Sequence, residues 1–159
     1  LRGARRQELC MAEKMQGKQR HLVRHLRAQA ETHPRRRSRL GLPNIRTELQ
    51  DASVCREEWK DSADVVLCDV PCSGLGIIRK KPEIRFKNPD EIRTLPEIQA
   101  KILANCAQYV KKGGTLVYST CTILQRENED VVRAFLTETR SLKRFRGHIR
   151  SAERGQTVW

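Results

Sequence analysis

The chain has 159 residues, 38% of them hydrophobic, and a net charge of +13, which amounts to about one domain with a single core. It has no apolar run of membrane-spanning length and no charged-then-apolar leader, so we expect a soluble, cytoplasmic protein and neither a helical membrane protein nor a secreted one. Its six cysteines (Cys10, Cys55, Cys68, Cys72, Cys106 and Cys121) are then expected as free thiols rather than as a disulfide framework.

The charge is unevenly spread. Residues 1–50 carry 13 Lys+Arg against 4 Asp+Glu, residues 51–136 carry 13 against 13, and residues 137–159 carry 6 against 2. Basicity that could grip phosphates therefore belongs to the arginine-rich ends, while the middle is neutral.

In chain order, residues 1–38 taken as written are a weakly amphipathic basic helix, with Leu22, Leu26 and Ala30 on one side. "NIRTELQDA" alternates Ile45, Thr47 and Leu49, a short strand ending near Asp51. "ADVVLCDV" is a continuous apolar run ending at Asp69, and "PCSGLG" after it must turn. "PDEIRTLPEIQAKILANCAQYVKKGG" sets Leu95, Ile98, Ile102, Leu103, Cys106 and Val110 at helical spacing and closes on Lys111, Lys112 and two glycines, a helix stop. "TLVYST" is a second buried-type strand, and "QRENEDVVRAFL" a second helix with Val131, Val132, Phe135 and Leu136 on its apolar side.

Strands separated by helices predict a parallel sheet with right-handed crossovers, an α/β fold with flanking helices. Ligands bind beyond the carboxyl ends of such strands, where Asp51, Asp69 and Cys121 are predicted to fall. Cys68 and Cys106 read as small core hydrophobes. No metal site is expected, because Cys68 and Cys72 lack ligand spacing and His21, His25, His33 and His148 are remote in sequence.

Two segments then carry a family likeness. "DVPCSGLGIIRKKPEIRFK" and, further on, "LVYSTCTILQRENEDVV" resemble the RsmB/NOP-type (Sun family) RNA cytosine-5 methyltransferases, most of all the bacterial RsmB subgroup acting on 16S rRNA. The likeness runs from about Arg39 to Leu136. It implies a Rossmann-like fold, here partial, that uses S-adenosylmethionine on an rRNA substrate. It further implies that Cys121 is the nucleophile and Cys72 the residue assisting product release. Asp69 would lie where cofactor and base meet, and Asp51 near the adenine end of the cofactor. Pro71, Ser73 and Gly74 would shape the substrate loop, with Gly74 and Gly76 allowing its tight path.

The chemistry explains the need for two thiols. Carbon 5 of cytosine is a poor nucleophile, so an enzyme adds a thiolate to carbon 6 to make an enamine-like ring. A second group then helps remove the carbon 5 proton. The base must be unstacked or single-stranded to be reached. The basic "RKKPEIRFK" beside Cys72 is either a solvated loop or a contact for RNA phosphates.

The family's glycine-rich cofactor turn, roughly Cys-Ala-Ala-Pro-Gly-Gly-Lys, is absent as written. Codons compatible with Leu1 to Glu8 spell that heptapeptide when read one base later, and a similar offset over Arg20 to Pro34 gives a strand, an acid and a helix start. We therefore expect residues 1–38 and 137–159 to be largely out-of-frame translation flanking a catalytic core at 39–136, with "MAEKMQGK" in frame. As written, the chain is expected to bind S-adenosylmethionine weakly or not at all. The alternatives are an RNA-binding remnant that is catalytically impaired and a DNA methyltransferase, whose carbon-5 kinds use the Pro-Cys cysteine as nucleophile.

Overall fold

The computed structural model describes residues 20–24, 45–139 and 157–158, with side chains described for 50–139. It divides into two compact units, Leu1–Val54 and Cys55–Trp159.

In the first unit, β1 (Arg20–Arg24) pairs in parallel with β2 (Ile45–Leu49), Arg20 opposite Ile45 and Arg24 opposite Leu49. The alternation of Ile45, Thr47 and Leu49 is thus a strand, as its period predicts. The helix expected over residues 1–38 is corrected at 20–24, where a five-residue parallel ladder outweighs a weak helical periodicity. The rest of that expected helix lies outside the described residues. After β2 the chain turns on Asp51, whose Oδ1 accepts from the Ser53 amide at 2.9 Å and the Ser53 hydroxyl at 2.7 Å.

In the second unit, β3 (Ala63–Asp69) and β4 (Val110–Thr120) are parallel neighbours, and β5 (Thr157–Val158) adds to β4 in the antiparallel sense. The crossover between β3 and β4 contains α1 (Pro89–Gln108), and α2 (Glu129–Glu138) follows β4. Asn88 caps α1 by accepting the Asp90 amide at 3.0 Å, with Pro89 at the first helical position.

The predicted end of α1 is corrected by one turn. The helix stops at Gln108, and Val110 with Lys111, Lys112 and the two glycines already belongs to β4. The ladder jumps from Ala63 opposite Val110 to Val65 opposite Thr115, so the glycines serve an irregularity of the strand. Gly113 has φ +81°, and a Cβ on Gly114 would lie 2.9 Å from the Asp64 carbonyl oxygen.

The core joins Cys68 and Val70 from β3 and its exit, Leu103 from α1, Tyr118 from β4 and Val131 from α2. Ala100, Ile102, Cys106, Leu116, Val132 and Phe135 pack against it. Cys68 and Cys106 therefore sit as core residues, the Cys68 thiol kept protonated by its hydrogen bond to Cys106 and by burial. Ile98, expected on the apolar stripe, is exposed, and the inward position goes to the polar Gln99. Replacing Leu103 by alanine is expected to cost about 2–4 kcal/mol in urea unfolding, the range for a fully buried leucine. Among the described residues, no helix is long and apolar enough to cross a membrane.

Candidate active site

Because β3 and β4 are parallel and adjacent, with Asp69 opposite Ser119, both chains leave the sheet at the same end. Pairing continues one residue past β3 through the Val70 amide, which donates to the Ser119 carbonyl at 3.1 Å. Two loops, Pro71 to Gly76 and Cys121 to Leu124, then run together. The Gly76 amide donates to the Cys121 carbonyl at 3.1 Å, and a Cβ on Gly76 would meet that oxygen at 2.9 Å. Gly74 adopts φ +78° against Ile84, a left-handed turn that suits glycine.

This convergence places Cys72 Sγ 3.1 Å from Cys121 Sγ, and the Cys121 amide donates to Cys72 Sγ at 3.2 Å. The two thiols are not equivalent. The hydrogen bond from the Cys72 thiol lowers Cys121 to about 7; burial and the Asp69 carboxylate oppose this, while the Lys87 ammonium favours it. The same bond, together with burial and the charge on Cys121, pushes Cys72 well above the ordinary thiol range. Of the two, Cys121 is the more readily ionised and Cys72 the one that holds its proton. Lys87 is tied to this loop, its Nζ donating to the Ser73 carbonyl at 2.9 Å and the Cys72 carbonyl at 3.2 Å.

Beneath the thiols lies a polar network. Glu127 is fully buried; its Oε2 accepts from the Ser73 amide at 2.8 Å and from Gln99 Nε2 at 3.0 Å. Gln99 Nε2 also donates to the Pro71 carbonyl at 2.9 Å, so that carbonyl faces α1. The Ser73 and Thr122 hydroxyls share a 2.6 Å bond, tying the Cys72 loop to the Cys121 loop. Asn128 holds the second loop from below, donating to the Leu124 carbonyl at 2.9 Å and pairing with the Thr120 hydroxyl at 2.6 Å.

The residues singled out from sequence thus separate. Cys72, Cys121, Pro71, Ser73 and Gly74 come together, with exposed Asp69 at the mouth of β3. Ser73 is buried and bonded to Thr122, so it braces the loop from inside. Asp51 belongs to the first unit and holds its own turn. A signal for one of the missed residues exists in the sequence: Gln99 is a polar residue on the stripe Leu95, Gln99, Leu103, Cys106, and its buried Nε2 finds partners in Pro71 and Glu127. Among the described residues no group of three or more His, Cys, Asp or Glu could hold a metal ion.

The thiol asymmetry predicts a pH profile. Alkylation of Cys121 by iodoacetamide, followed by peptide mapping, is expected to rise with a midpoint near 7, because only the thiolate reacts. Cys72→Ala removes the donor that stabilises the charge, so the midpoint is expected to move upward, towards the ordinary value of about 8.5.

Parallel strands delivering two cysteine loops to one end of a sheet flanked by helices form a partial Rossmann-like α/β fold of the methyltransferase kind. A family model described as 16S rRNA methyltransferase RsmB/F matches residues 17–157, and the chain belongs to that family. It is similar to the probable ribosomal RNA small subunit methyltransferase B of Bacillus subtilis, 49% identical over 102 residues, covering 63% of this chain and 23% of that protein. The crystal structure of PH0851 superposes with a TM-score of 0.73 at 31% identity, covering 76% of this chain and 28% of that one. A methyltransferase homolog protein from Pyrococcus horikoshii does so with a TM-score of 0.61 at 27% identity, covering 74% and 36% respectively. The chain thus spans less than half the length of each of these proteins.

Proposed function

We propose that this chain carries the catalytic thiols of an RNA cytosine-5 methyltransferase acting on small-subunit rRNA. The observation that carries the reading is the 3.1 Å contact between two thiols of opposite proton affinity at the ends of adjacent parallel strands. The Cys121 thiolate attacks cytosine carbon 6; the sulfur–carbon bond forms, and the carbon 5–carbon 6 π electrons move onto carbon 5, which becomes nucleophilic. Once Cys121 is a neutral thioether, the bond and the charge that kept Cys72 protonated are gone. Cys72 can then release its proton to solvent and accept the proton leaving carbon 5, after which the sulfur–carbon bond breaks and the Cys121 thiolate returns.

S-adenosylmethionine supplies the methyl group when bound. Asp69 fits its binding, as an exposed carboxylate at the carboxyl end of β3, and the family likeness reads Asp51 as lying near its adenine end. The glycine-rich turn is read as encoded one base out of step, so the chain as written binds the cofactor poorly. Titration calorimetry is expected to show no micromolar affinity, and a micromolar constant would overturn that prediction; the reading frame itself is tested by the nucleotide sequence over Leu1 to Glu8.

The reaction is tested by incubating the chain with 5-fluorocytosine RNA and a large excess of S-adenosylmethionine. A denaturation-resistant complex mapping to the Cys121 peptide is expected, since fluorine cannot leave as the proton does. A complex mapping to Cys72 instead would sink the assignment and favour the arrangement of the DNA carbon-5 enzymes.

A further inference from the structure

Beside the two cysteine loops lies a groove of ≈ 670 Å³. Its walls come from the residues just after Cys72, from the segment leading into α1, from the first turn of α1, and from the residues just after Cys121. Leu75, Ile78, Ile84, Ile92 and Leu124 give it an apolar lining. Arg85, Lys87, Arg93 and Arg126 are its charged lining residues, and no carboxylate lines it.

These cations are differently engaged. Arg93 pairs with Asp90 at 3.2 Å, and Lys87 is fastened to the Cys72 loop. Arg85 and Arg126 make no ion pair among the described residues. In sequence, Phe86 falls between the lining residues Arg85 and Lys87 and is 89% exposed, and Ile123 precedes the lining residue Leu124 and is 74% exposed; neither lines the groove itself. An aromatic ring held almost wholly in water offers a face on which a base can stack.

We propose that this groove binds the single-stranded RNA flanking the reactive nucleotide, with phosphates on Arg85 and Arg126 and a neighbouring base stacked on Phe86. Apolar walls, free guanidinium groups and an exposed ring together suit a chain of phosphates and π-faces. An acidic peptide would use the cations and leave Phe86 without a role. The proposal rests on the cytosine-5 reading for its account of why RNA should lie beside Cys121. It explains the basic segment "RKKPEIRFK", with five Lys+Arg against one Glu, as a contact surface within residues 51–136, whose other charges are 8 Lys+Arg against 12 Asp+Glu.

The test is fluorescence anisotropy of a labelled single-stranded RNA with the full chain across a salt series. Phe86→Ala is expected to weaken binding about tenfold, and Phe86→Trp to retain it, because stacking tolerates any large ring. Arg85→Gln with Arg126→Gln is expected to flatten the slope of log affinity against log salt by about 1.4, two contacts at about 0.7 each for single strands. The arginine-rich ends contribute equally to every variant, so the differences isolate the groove. Unchanged affinity and slope in all variants overturns the proposal, as does tighter binding of the same sequence as DNA or equal competition by polyglutamate. A normal Cys121 adduct with unchanged RNA affinity in the variants defeats the groove and leaves the reaction standing. Groove-dependent RNA binding without any adduct does the reverse.

Discussion

Replacing Glu127 by alanine is expected to cost the Cys55–Trp159 unit about 3–4 kcal/mol of unfolding free energy and to disrupt the thiol pair. The side chain is fully buried and its two oxygens meet Ser73, Gln99 and Thr122, so truncation strands several donors where water does not reach. Each buried donor left unmatched costs about 1–3 kcal/mol. The Ser73 amide is the most exposed to this loss, since its 2.8 Å bond to Glu127 anchors the residue next to Cys72. Glu127→Gln separates the loss of charge from the loss of acceptors: Oε2 remains for both the Ser73 amide and Gln99 Nε2, and the new amide takes the place of Oε1, where the Thr122 hydroxyl turns from donor to acceptor. It is expected to recover most of the stability. Urea unfolding measures the first effect. The second is read from the Cys121 alkylation profile, whose midpoint is expected to climb from about 7 as the Cys72 loop loosens and its donor withdraws. Leu103→Ala is the control, destabilising the same core while leaving that midpoint in place. If Glu127→Ala lowers stability without moving the midpoint, the network is a core brace and does not position the thiols.

Much of this arrangement was legible in the sequence because hydrophobic period reports local packing directly. Alternation at Ile45, Thr47 and Leu49 marks a strand, and the apolar runs before Asp69 and Cys121 mark the two strands that carry the cysteines. What escaped depends on partners distant in the chain. Arg20–Arg24 becomes a strand through pairing with Ile45–Leu49, which no window around residue 22 contains. Lys111 to Gly114 read as a helix stop because lysine and glycine commonly end helices, yet here they take up an irregularity against Asp64. Ile98 lies exposed while Gln99 is buried for the same reason: Glu127 is in the interior, and the Gln99 Nε2 donates to it there. The site splits along the same line. The cysteines announce themselves through the turn residues around them, whereas Gln99, Thr122 and Glu127 support them through contacts visible only once the chain is folded.

Cys121→Ala is expected to abolish the covalent complex with 5-fluorocytosine RNA, a loss of roughly 10³-fold or more, since removal of an enzymatic nucleophile leaves only binding and orientation. Cys72→Ala is expected to do something different: on ordinary cytosine RNA the complex forms and then persists, because attack needs one thiol and release needs the other. Attack itself should slow at neutral pH, as Cys121 loses its donor and less of it is ionised, so the variant's adduct should form faster as pH rises above 7. That direction separates the roles. If Cys72 were the nucleophile, Cys72→Ala would form no adduct at any pH and Cys121→Ala would trap one. If the two were interchangeable, either variant would retain turnover. Following the adduct by denaturing gel from pH 6 to pH 9 distinguishes all three outcomes. With Cys121 as nucleophile and Cys72 as the group that permits release, the trapped species on ordinary cytosine RNA must appear only when Cys121 is present and accumulate only when Cys72 is absent.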